Sequence, residues 1–260
     1  MTYLNRKIVK NILGDIQKFE NDLATVFNNH DLNLRDNLGR RNALVSTAQE
    51  KATANALRKV YNVVVEDGAP GKPDIYIGDI ETELECKITS GSRTKSKKRS
   101  FSLQTDWETI CKKESLDYVF ILTNDSFDEF CVLFFKGLTP EDYYPPASGS
   151  RGKSRMNKKN AMKKCNVLYG DFTTLNQTYI ERYKERIAGF EEKCAYDTSV
   201  MISKCFDRTI QEAGSRVKKI EDFYDKKIKE LKNKIKKWEE ADPRYSYKLE
   251  SFKGRSELTS

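Results

Sequence analysis

The chain has 260 residues, of which 38% are hydrophobic and 33% are charged, and its formal net charge is +8. Its N-terminus lacks the apolar core of a signal peptide, and no segment approaches the roughly 20 apolar residues of a membrane span, so we expect a soluble, cytoplasmic protein with no membrane partner. The one histidine, His30, and six scattered cysteines without a CxxC pair argue against a zinc site and against histidine-based catalysis.

Two helices are predicted before the first strand. Residues 3–30 carry apolar side chains at spacings of three and four, which indicates one buried helical face. These side chains are Ile8, Ile12, Ile16, Phe19, Leu23 and Phe27. A second helix is predicted to start at Thr47, because Thr47 and Glu50 have the spacing of a capping box.

Strands dominate the middle of the chain, and turn residues separate them. The predicted strands lie at 61–67, 73–79, 80–89, 117–124 and 129–138. A helix is predicted at 101–114, with Gln104 near its start. The nearly continuous apolar composition of the last strand is typical of a strand that is covered on both faces. This order of elements predicts an α/β fold with a mixed sheet and a helix on each face.

The C-terminal part of the chain is predicted to be helical. Residues 138–160 are rich in Pro, Ser and Gly and are expected to form a long irregular loop. Residues from Thr178 to about Glu240 have a helical pattern. From Ile210 to Trp238 the apolar residues follow a heptad pattern with one extra four-residue step, a stutter, which predicts a coiled-coil-like region. Its seam consists of Ile210, Ala213, Val217, Ile220, Tyr224, Ile228, Leu231, Ile235 and Trp238. These helices could build a homodimer, clamp DNA or pair within one chain, and the residues after Pro243 are expected to be flexible.

Charged residues interrupt two of the predicted strands in the segment GKPDIYIGDIETELECKIT. Because side chains alternate along a strand, Glu83, Glu85 and Lys87 share one face. A hairpin about Gly78–Asp79 would bring Asp74 near Glu83 or Glu85. These charges either meet at a metal site or cover the solvent-exposed face of a sheet.

Pro73-Asp74, followed after ten residues by Glu85-Cys86-Lys87, resembles the motif of the PD-(D/E)xK nuclease superfamily, to which most type II restriction endonucleases belong. The resemblance covers residues 46–136 and includes the element order helix–strand–strand–strand–helix–strand. It implies a restriction-endonuclease-like mixed sheet flanked by helices, here followed by the long helical region. In that family a carboxylate on the helix before the hairpin often joins the site, and Glu50 is the matching residue.

The resemblance also implies the chemistry of the site. Asp74 and Glu85 would bind one or two Mg²⁺ ions, which prefer oxygen ligands. The backbone carbonyl of Cys86 would be a further ligand, and Glu83 competes with Glu85 for its position. Lys87 would orient or deprotonate the attacking water and stabilise the developing charge. No small-molecule cofactor is expected.

Each candidate residue also has a structural interpretation. Asp74 could start a strand or cap a turn, and Glu85 and Lys87 could form an exposed cross-strand charge pair. Glu50 could serve the capping box alone. Gln104 is a weak catalytic candidate, because some family members place a glutamine near the site, and it could equally be a polar residue on a helix surface.

Positive charge is concentrated in residues 92–100 and 151–164, which carry five and seven basic residues and no acidic ones. Such concentration favours a polyanionic partner, and we expect double-stranded DNA, although a solvated, lysine-rich linker would have the same composition. Arg151, Arg155, Asn157 and Asn160 are candidates for recognising bases. The DNA-binding candidates are Arg93, Lys95, Lys97, Lys98, Arg99, Arg151, Lys153, Arg155, Asn157, Lys158, Lys159 and Asn160.

These features predict a Mg²⁺-dependent, site-specific endonuclease for double-stranded DNA, of the type II restriction class. We expect a homodimer, because cleavage of both strands of a palindrome calls for two sites related by a two-fold axis. The alternatives are a structure-specific junction or repair nuclease and a non-catalytic DNA-binding or coiled-coil scaffold protein. The predicted organisation is an N-terminal helical region (1–45), a nuclease core (46–137), a basic loop region for DNA recognition (138–177), a coiled-coil-like region (178–242) and a flexible tail (243–260).

Overall fold

A computed structural model of the chain describes residues 2–67, 72–93, 99–101, 103–148, 152–204 and 210–253. The chain forms two compact units. The first unit combines Met1–Phe172 with Tyr247–Ser260, and the second unit is Thr173–Ser246. Among the residues described, no helix has both the length and the apolar composition needed to cross a membrane.

The helices and strands are numbered along the chain. The helices are α1 (Arg6–Asn28), α2 (Leu38–Leu57), α3 (Trp107–Lys113), α4 (Lys158–Ala161), α5 (Leu175–Ser203) and α6 (Ile210–Glu240), and 3₁₀ turns lie at Gly78–Ile80, Pro140–Asp142 and Met162–Lys164. The strands are β1 (Val64–Glu66), β2 (Ile75–Ile77), β3 (Thr82–Ser90), β4 (Ser92–Arg93), β5 (Arg99–Ser100), β6 (Gln104–Asp106), β7 (Leu116–Thr123), β8 (Glu129–Leu138), β9 (Lys153–Arg155), β10 (Cys165–Tyr169), β11 (Asp171–Thr174), β12 (Tyr245–Lys248) and β13 (Glu250–Ser251).

The main sheet of the first unit has the strand order β1-β2-β3-β7-β8-β10, and β13 pairs with the start of β8. The β3–β7 pair is parallel, whereas the other neighbours are antiparallel. The sheet is therefore mixed, as predicted. The predicted strands at 117–124 and 129–138 are confirmed as β7 and β8.

Both faces of the central strands are buried. On one face, α1 and α2 contribute to a core that includes Leu84, Cys86, Val119 and Phe134. On the other face, aromatic side chains of β7 and β8 contact one another, and the Tyr118 ring also lies 6.4 Å from the Tyr143 ring. Coverage on both sides explains why β7 and β8 are almost entirely apolar.

The β2–β3 hairpin forms where the turn residues predicted it. Ile75 lies opposite Leu84, and the turn between the strands is the 3₁₀ segment Gly78–Ile80. A side chain at Gly78 would come within 2.6 Å of the Val63 side chain, so the close approach of this turn to the preceding segment requires glycine. The hairpin fixes the register of β3, which carries the predicted site.

Helix α1 confirms the predicted apolar stripe over its first half. The Asn5 side chain caps the helix by accepting hydrogen bonds from the backbone N–H groups of Lys7 and Ile8. Ile8, Ile12 and Ile16 are buried, as are Val9 and Leu13. Further along, Phe19 is exposed, and Leu23 and Phe27 are only half-buried.

The predicted start of the second helix is wrong. Helix α2 begins at Leu38, and Asn37 caps it by accepting a hydrogen bond from the N–H of Arg40. Thr47 and Glu50 therefore lie inside the helix, where no free N–H groups remain for a capping box. Glu50 is therefore not a capping residue.

Three further segments differ from the prediction because short strands pair across long sequence distances. Helix α3 begins at Trp107 with Asp106 as its cap, and Gln104 belongs to β6. The segment 138–160, predicted as irregular, contains β9 and α4, and β9 pairs with β6. The tail predicted as flexible contains β12 and β13, and residues 254–260 lie outside the described part of the chain.

The second unit is a pair of long helices, α5 and α6. Ile187 of α5 clusters with Ile228 and Leu231 of α6. The Tyr179 and Trp238 rings stack with their centroids 4.7 Å apart. Of the three roles left open for the apolar seam, the structure shows pairing of two helices within one chain.

The α5–α6 contact makes Leu231 a residue on which this unit depends. We predict that Leu231→Ala destabilises the helix pair by about 2–4 kcal/mol, because the removed methyl groups leave a cavity between the helices. Hydrogen exchange on the full-length protein should show faster exchange of the amides of α5 and α6. The neighbouring exposed residue provides the control variant Lys232→Ala, which should exchange like the parent. Equal exchange in both variants would contradict this packing.

Candidate active site

The β2–β3 hairpin brings Asp74, Glu85 and Lys87 together. The Lys87 Nζ lies 2.9 Å from Oε2 of Glu85 and 3.4 Å from Oδ2 of Asp74. The backbone N–H of Cys86 donates a hydrogen bond to the same Asp74 oxygen, at 2.7 Å. This contact holds the Asp74 carboxylate against β3, next to the two charged residues.

The three side chains differ in their access to solvent. The Glu85 side chain is 10% exposed and that of Asp74 is 16% exposed, whereas that of Lys87 is 36% exposed. The carboxylates have therefore lost most of their hydration, whereas the lysine side chain keeps partial access to solvent. An exposed charge pair on a wet sheet face would leave all three side chains solvated, so that interpretation fits the burial poorly.

Helix α2 adds Glu50 to this group. The preceding residue, Gln49, is buried, and its Nε2 lies 3.3 Å from the Lys87 carbonyl oxygen and 3.4 Å from that of Val119. Gln49 thereby links α2 to both β3 and β7. The helix then holds the half-buried carboxyl group of Glu50 where it interacts electrostatically with Asp74, Lys87 and Glu85.

Burial and like charge shift the pKa values of these groups. The pKa of Glu50 is raised to about 7, mainly by burial and then by the Asp74 charge, with Lys87 acting in the opposite direction. Burial also raises the pKa of Glu85, against the lowering effect of Lys87. Burial alone would lower the pKa of Lys87, but the charges of Glu85 and Asp74 outweigh it and raise this pKa. Two carboxyl groups therefore contact one ammonium group, and Glu50 interacts with all three electrostatically.

Two of the weaker candidates lie elsewhere. Glu83 forms an ion pair with Lys113 of α3, at 2.7 Å, and the structure does not bring it to Asp74. Gln104 does not open a helix but pairs with Arg155 in the β6–β9 ladder. The thiol of Cys86 is buried in the core on the opposite face of β3.

Tyr118 is a neighbour of the site that the sequence did not indicate. It lies directly across from Glu85 in the parallel β3–β7 pair, and its hydroxyl contacts Thr105 Oγ1 at 2.6 Å. Burial raises the pKa of Tyr118, the Thr105 contact lowers it and the Glu85 charge raises it further. No sequence pattern pointed to Tyr118, because β7 lies about 30 residues after β3 and only the parallel pairing of the two strands places Tyr118 beside Glu85.

The donor groups fit a hard divalent cation in an open site. Within the described residues, no group of three or more histidine, cysteine, aspartate or glutamate side chains is placed so that it could hold a metal ion. Asp74 and Glu85 instead offer two carboxylates beside each other. Mg²⁺ is commonly held by one or two carboxylates and keeps several waters, whereas structural zinc requires four nitrogen or sulfur ligands. The residues present therefore fit Mg²⁺ and do not fit zinc.

The first basic segment is described only at its edges. Arg93 and Arg99 are paired across β4 and β5. Lys95, Lys97 and Lys98 lie outside the described residues.

The second basic segment is largely ordered, although Arg151 lies outside the described residues. Lys153 and Arg155 of β9 are exposed, as is Lys159. The Lys158 Nζ lies 5.3 Å from the centre of the Tyr247 ring. Burial, followed by the Arg155 charge, lowers the pKa of Lys158. The exposed cations therefore form a smaller set than the sequence suggested.

The two asparagines of this segment contact their own fold. The Asn157 Oδ1 accepts a hydrogen bond from the Tyr144 hydroxyl, and the Asn160 Nδ2 donates one to the Glu141 carbonyl, both at 3.3 Å. These side chains stabilise the turn region before β9. In this arrangement Asn157 Oδ1 and Asn160 Nδ2 are already engaged within the fold.

Comparisons of this chain with protein-family models, curated proteins and solved structures find no match. The chemistry of the site must therefore be inferred from its own residues.

The raised pKa of Glu50 predicts a pH-dependent penalty on the fold. Its carboxyl group is protonated in the folded chain up to pH of about 7 but ionises near its ordinary value of 4.5 in the unfolded chain. The contribution of Glu50 to the free energy of unfolding is thus fully present below pH 4.5 and is lost as the pH rises towards 7. In EDTA, Glu50→Gln should match the parent near pH 4.5 and exceed it by about 1 kcal/mol at pH 8, allowing for solvent screening of a half-buried group.

The control for this prediction is Glu66→Gln. Despite partial burial, which would raise it, the pKa of Glu66 is lowered by hydrogen bonds from Lys51 and Arg58. Its replacement should therefore destabilise the protein at pH 8, with the effect fading as the pH falls. Urea unfolding at several pH values measures both variants. A Glu50→Gln variant less stable than the parent at pH 8 would show that Glu50 is not electrostatically strained.

Proposed function

We propose that this chain is a Mg²⁺-dependent, site-specific endonuclease that hydrolyses phosphodiester bonds of double-stranded DNA. The observation that carries the proposal is the convergence of Asp74, Glu85 and Lys87 at one partly open point of the sheet. Carboxylates beside a lysine supply the ligands and the cationic donor that phosphodiester hydrolysis requires.

The order of the elements supports a restriction-endonuclease-like fold. Helix α2 precedes the antiparallel strands β1, β2 and β3, and α3 then leads to β7, which lies parallel to β3. Among the strands of the main sheet, this succession agrees with the helix–strand–strand–strand–helix–strand order of the PD-(D/E)xK superfamily. The short strands β4, β5 and β6 lie between β3 and α3 and belong to other sheets. The family motif begins with Pro73-Asp74 and continues with Glu85 and Lys87. These last two residues lie on the same face of β3.

Asp74 and Glu85 would hold the metal ion, and a bound Mg²⁺ would neutralise phosphate charge and lower the pKa of a coordinated water. Lys87 would donate hydrogen bonds to the attacking water and to an oxygen of the scissile phosphate, because its ammonium group lies beside both proposed ligands. Glu50 adds a further carboxyl group that favours cation binding. Thr105 and the Tyr118 hydroxyl brace the sheet next to Glu85.

The proposed partner is double-stranded DNA, and the proposed setting is the cytoplasm. The exposed cations Lys153, Arg155 and Lys159 would contact the DNA. The basic segment that contains Arg93 and Arg99 follows β3 in sequence and would contact DNA phosphates beside the cleavage site. The charge on these segments suits a partner with phosphates at regular positions.

The nuclease proposal predicts Mg²⁺-dependent cleavage that depends on the hairpin charges. The parent should cut mixed plasmid and phage DNA into discrete bands with Mg²⁺ but not with EDTA. Asp74→Asn and Lys87→Ala should each lower the rate on the order of 10²-fold or more. Glu83→Gln provides the matched control, because Glu83 lies on the same strand face but pairs with Lys113.

The outcomes separate the alternatives. Cleavage of branched DNA alone would favour a structure-specific junction or repair nuclease. Intact DNA under all conditions, with tight salt-dependent binding that Asp74→Asn leaves unchanged, would favour a DNA-binding or scaffold protein. Equal cleavage by the parent and by Asp74→Asn would contradict the assigned ligands.

A homodimer is proposed for the cutting form, because two strands of a palindrome require two sites. The apolar seam of α6 contacts α5 of the same chain, so the dimer contact must use another surface. Sedimentation equilibrium of the parent with a cognate duplex should give two chains per duplex. One chain per duplex, together with a monomer in the absence of DNA, would exclude the dimer.

A further inference from the structure

Strands β6 and β9 form a separate two-stranded antiparallel ribbon. In its register Gln104 lies opposite Arg155, Thr105 opposite Ser154, and Asp106 opposite Lys153. Residues directly opposite each other point to the same side of a ribbon, and successive residues alternate. One side therefore carries Thr105 and Ser154, and the other carries the longer polar and charged side chains.

The side with Thr105 and Ser154 is buried and anchors the ribbon. Thr105 contacts the hydroxyl of Tyr118, which lies across from Glu85 in the main sheet. The Tyr118 side chain, which comes from the strand next to β3, thus links the ribbon to the surroundings of the proposed catalytic carboxylate. The ribbon thus covers the sheet face that also carries Lys87.

The other side of the ribbon faces outward and presents hydrogen-bond donors. Arg155 and Lys153 are exposed, and Gln104 is half-buried. Within the described chain, no carboxylate lies within 4.0 Å of the Arg155 guanidinium group. Asp106 instead caps α3 by accepting a hydrogen bond from the Thr109 N–H. An unpaired guanidinium group next to a side-chain amide is a pair of groups suited to external hydrogen bonds.

The dimensions and chemistry of this side match the major groove of B-form DNA. That groove is about 12 Å wide and admits a two-stranded β-ribbon. Arginine bonds to O6 and N7 of guanine with two hydrogen bonds, and glutamine bonds to N6 and N7 of adenine. Gln104 and Arg155 lie opposite each other, about 5 Å apart across the ribbon. Successive base pairs are about 3.4 Å apart, so these two long, flexible side chains can reach the edges of neighbouring base pairs.

We propose that the β6–β9 ribbon enters the major groove and recognises two neighbouring base pairs, Arg155 a guanine and Gln104 an adenine. This inference rests on the proposed DNA endonuclease function and names its specificity-determining residues. Lys153 and Lys159 contact flanking phosphates, which adds affinity without sequence preference. Gln104 therefore acts in recognition rather than catalysis, and Asn157 and Asn160 support the segment that positions β9.

The test measures binding in a cleavage-disabled background. Full-length Asp74→Asn protein is used to select duplexes from a library with a randomised central region, and the same selection is repeated with Arg155→Ala, Gln104→Ala or Lys159→Ala added. We expect Asp74→Asn to enrich a motif with a guanine next to an adenine. Adding Arg155→Ala should abolish preference at the guanine alone and weaken binding of the selected duplex by about 10- to 100-fold. Adding Gln104→Ala should do the same at the adenine.

The Lys159→Ala control has a different expected result from the two recognition variants. Lys159→Ala should weaken binding to all duplexes by a similar factor and leave the motif unchanged. The inference is overturned if no motif is enriched, if Arg155→Ala and Gln104→Ala select the parental motif, or if they weaken all duplexes equally. Thermal melting of each variant verifies that the fold is retained. Failure of the nuclease proposal would appear separately, as a parent protein that binds the selected duplex but does not cut it with Mg²⁺.

Discussion

In the β2–β3 hairpin, Ile75 lies opposite Leu84, and the next position along the ladder places Asp74 beside Glu85. A slip of one residue would turn the charges of β3 into the apolar core and expose Leu84, which the hydrophobic effect opposes. The core that α1 and α2 form with the sheet therefore determines the register. The same register determines where Lys87 lies, so the packing of apolar side chains holds the charged group in place.

The cluster of Asp74, Glu85, Glu50 and Lys87 lowers the stability of the fold electrostatically when no metal ion is bound. Asp74, Glu85 and Glu50 are brought near one lysine, and burial raises the pKa of both Glu50 and Glu85. A structural role would be served better by apolar side chains of the same size, because a buried ion pair rarely adds stability. Strained groups of this kind are typical of sites whose ligand supplies the missing charge. Gln49 and the hairpin hold the backbone around these groups in place.

Sequence patterns predicted the strands whose apolar or alternating composition indicates which faces are buried. They missed the short strands that form only by pairing with a segment far away in the sequence. The apolar strands β7 and β8 and the alternating β3 were predicted at nearly their observed positions. The β6 and β9 strands have three residues each and exist because they pair with one another, so Gln104 was placed on a helix. The capping pattern at Thr47 was misleading because Asn37 starts the helix earlier. The convergence of Asp74, Glu85 and Lys87 followed from alternation and one turn, whereas Tyr118 required the parallel β3–β7 register.

Asp74 and Glu85 are proposed as the ligands of a divalent cation. Anomalous diffraction from crystals of the parent grown with Mn²⁺ tests this proposal directly, because Mn²⁺ replaces Mg²⁺ at oxygen sites and scatters anomalously. We predict an anomalous peak about 2 Å from one carboxylate oxygen of each residue, and no peak there in crystals of Asp74→Asn. Crystals of the parent without a peak at this position, at Mn²⁺ concentrations that label other carboxylates, would contradict it.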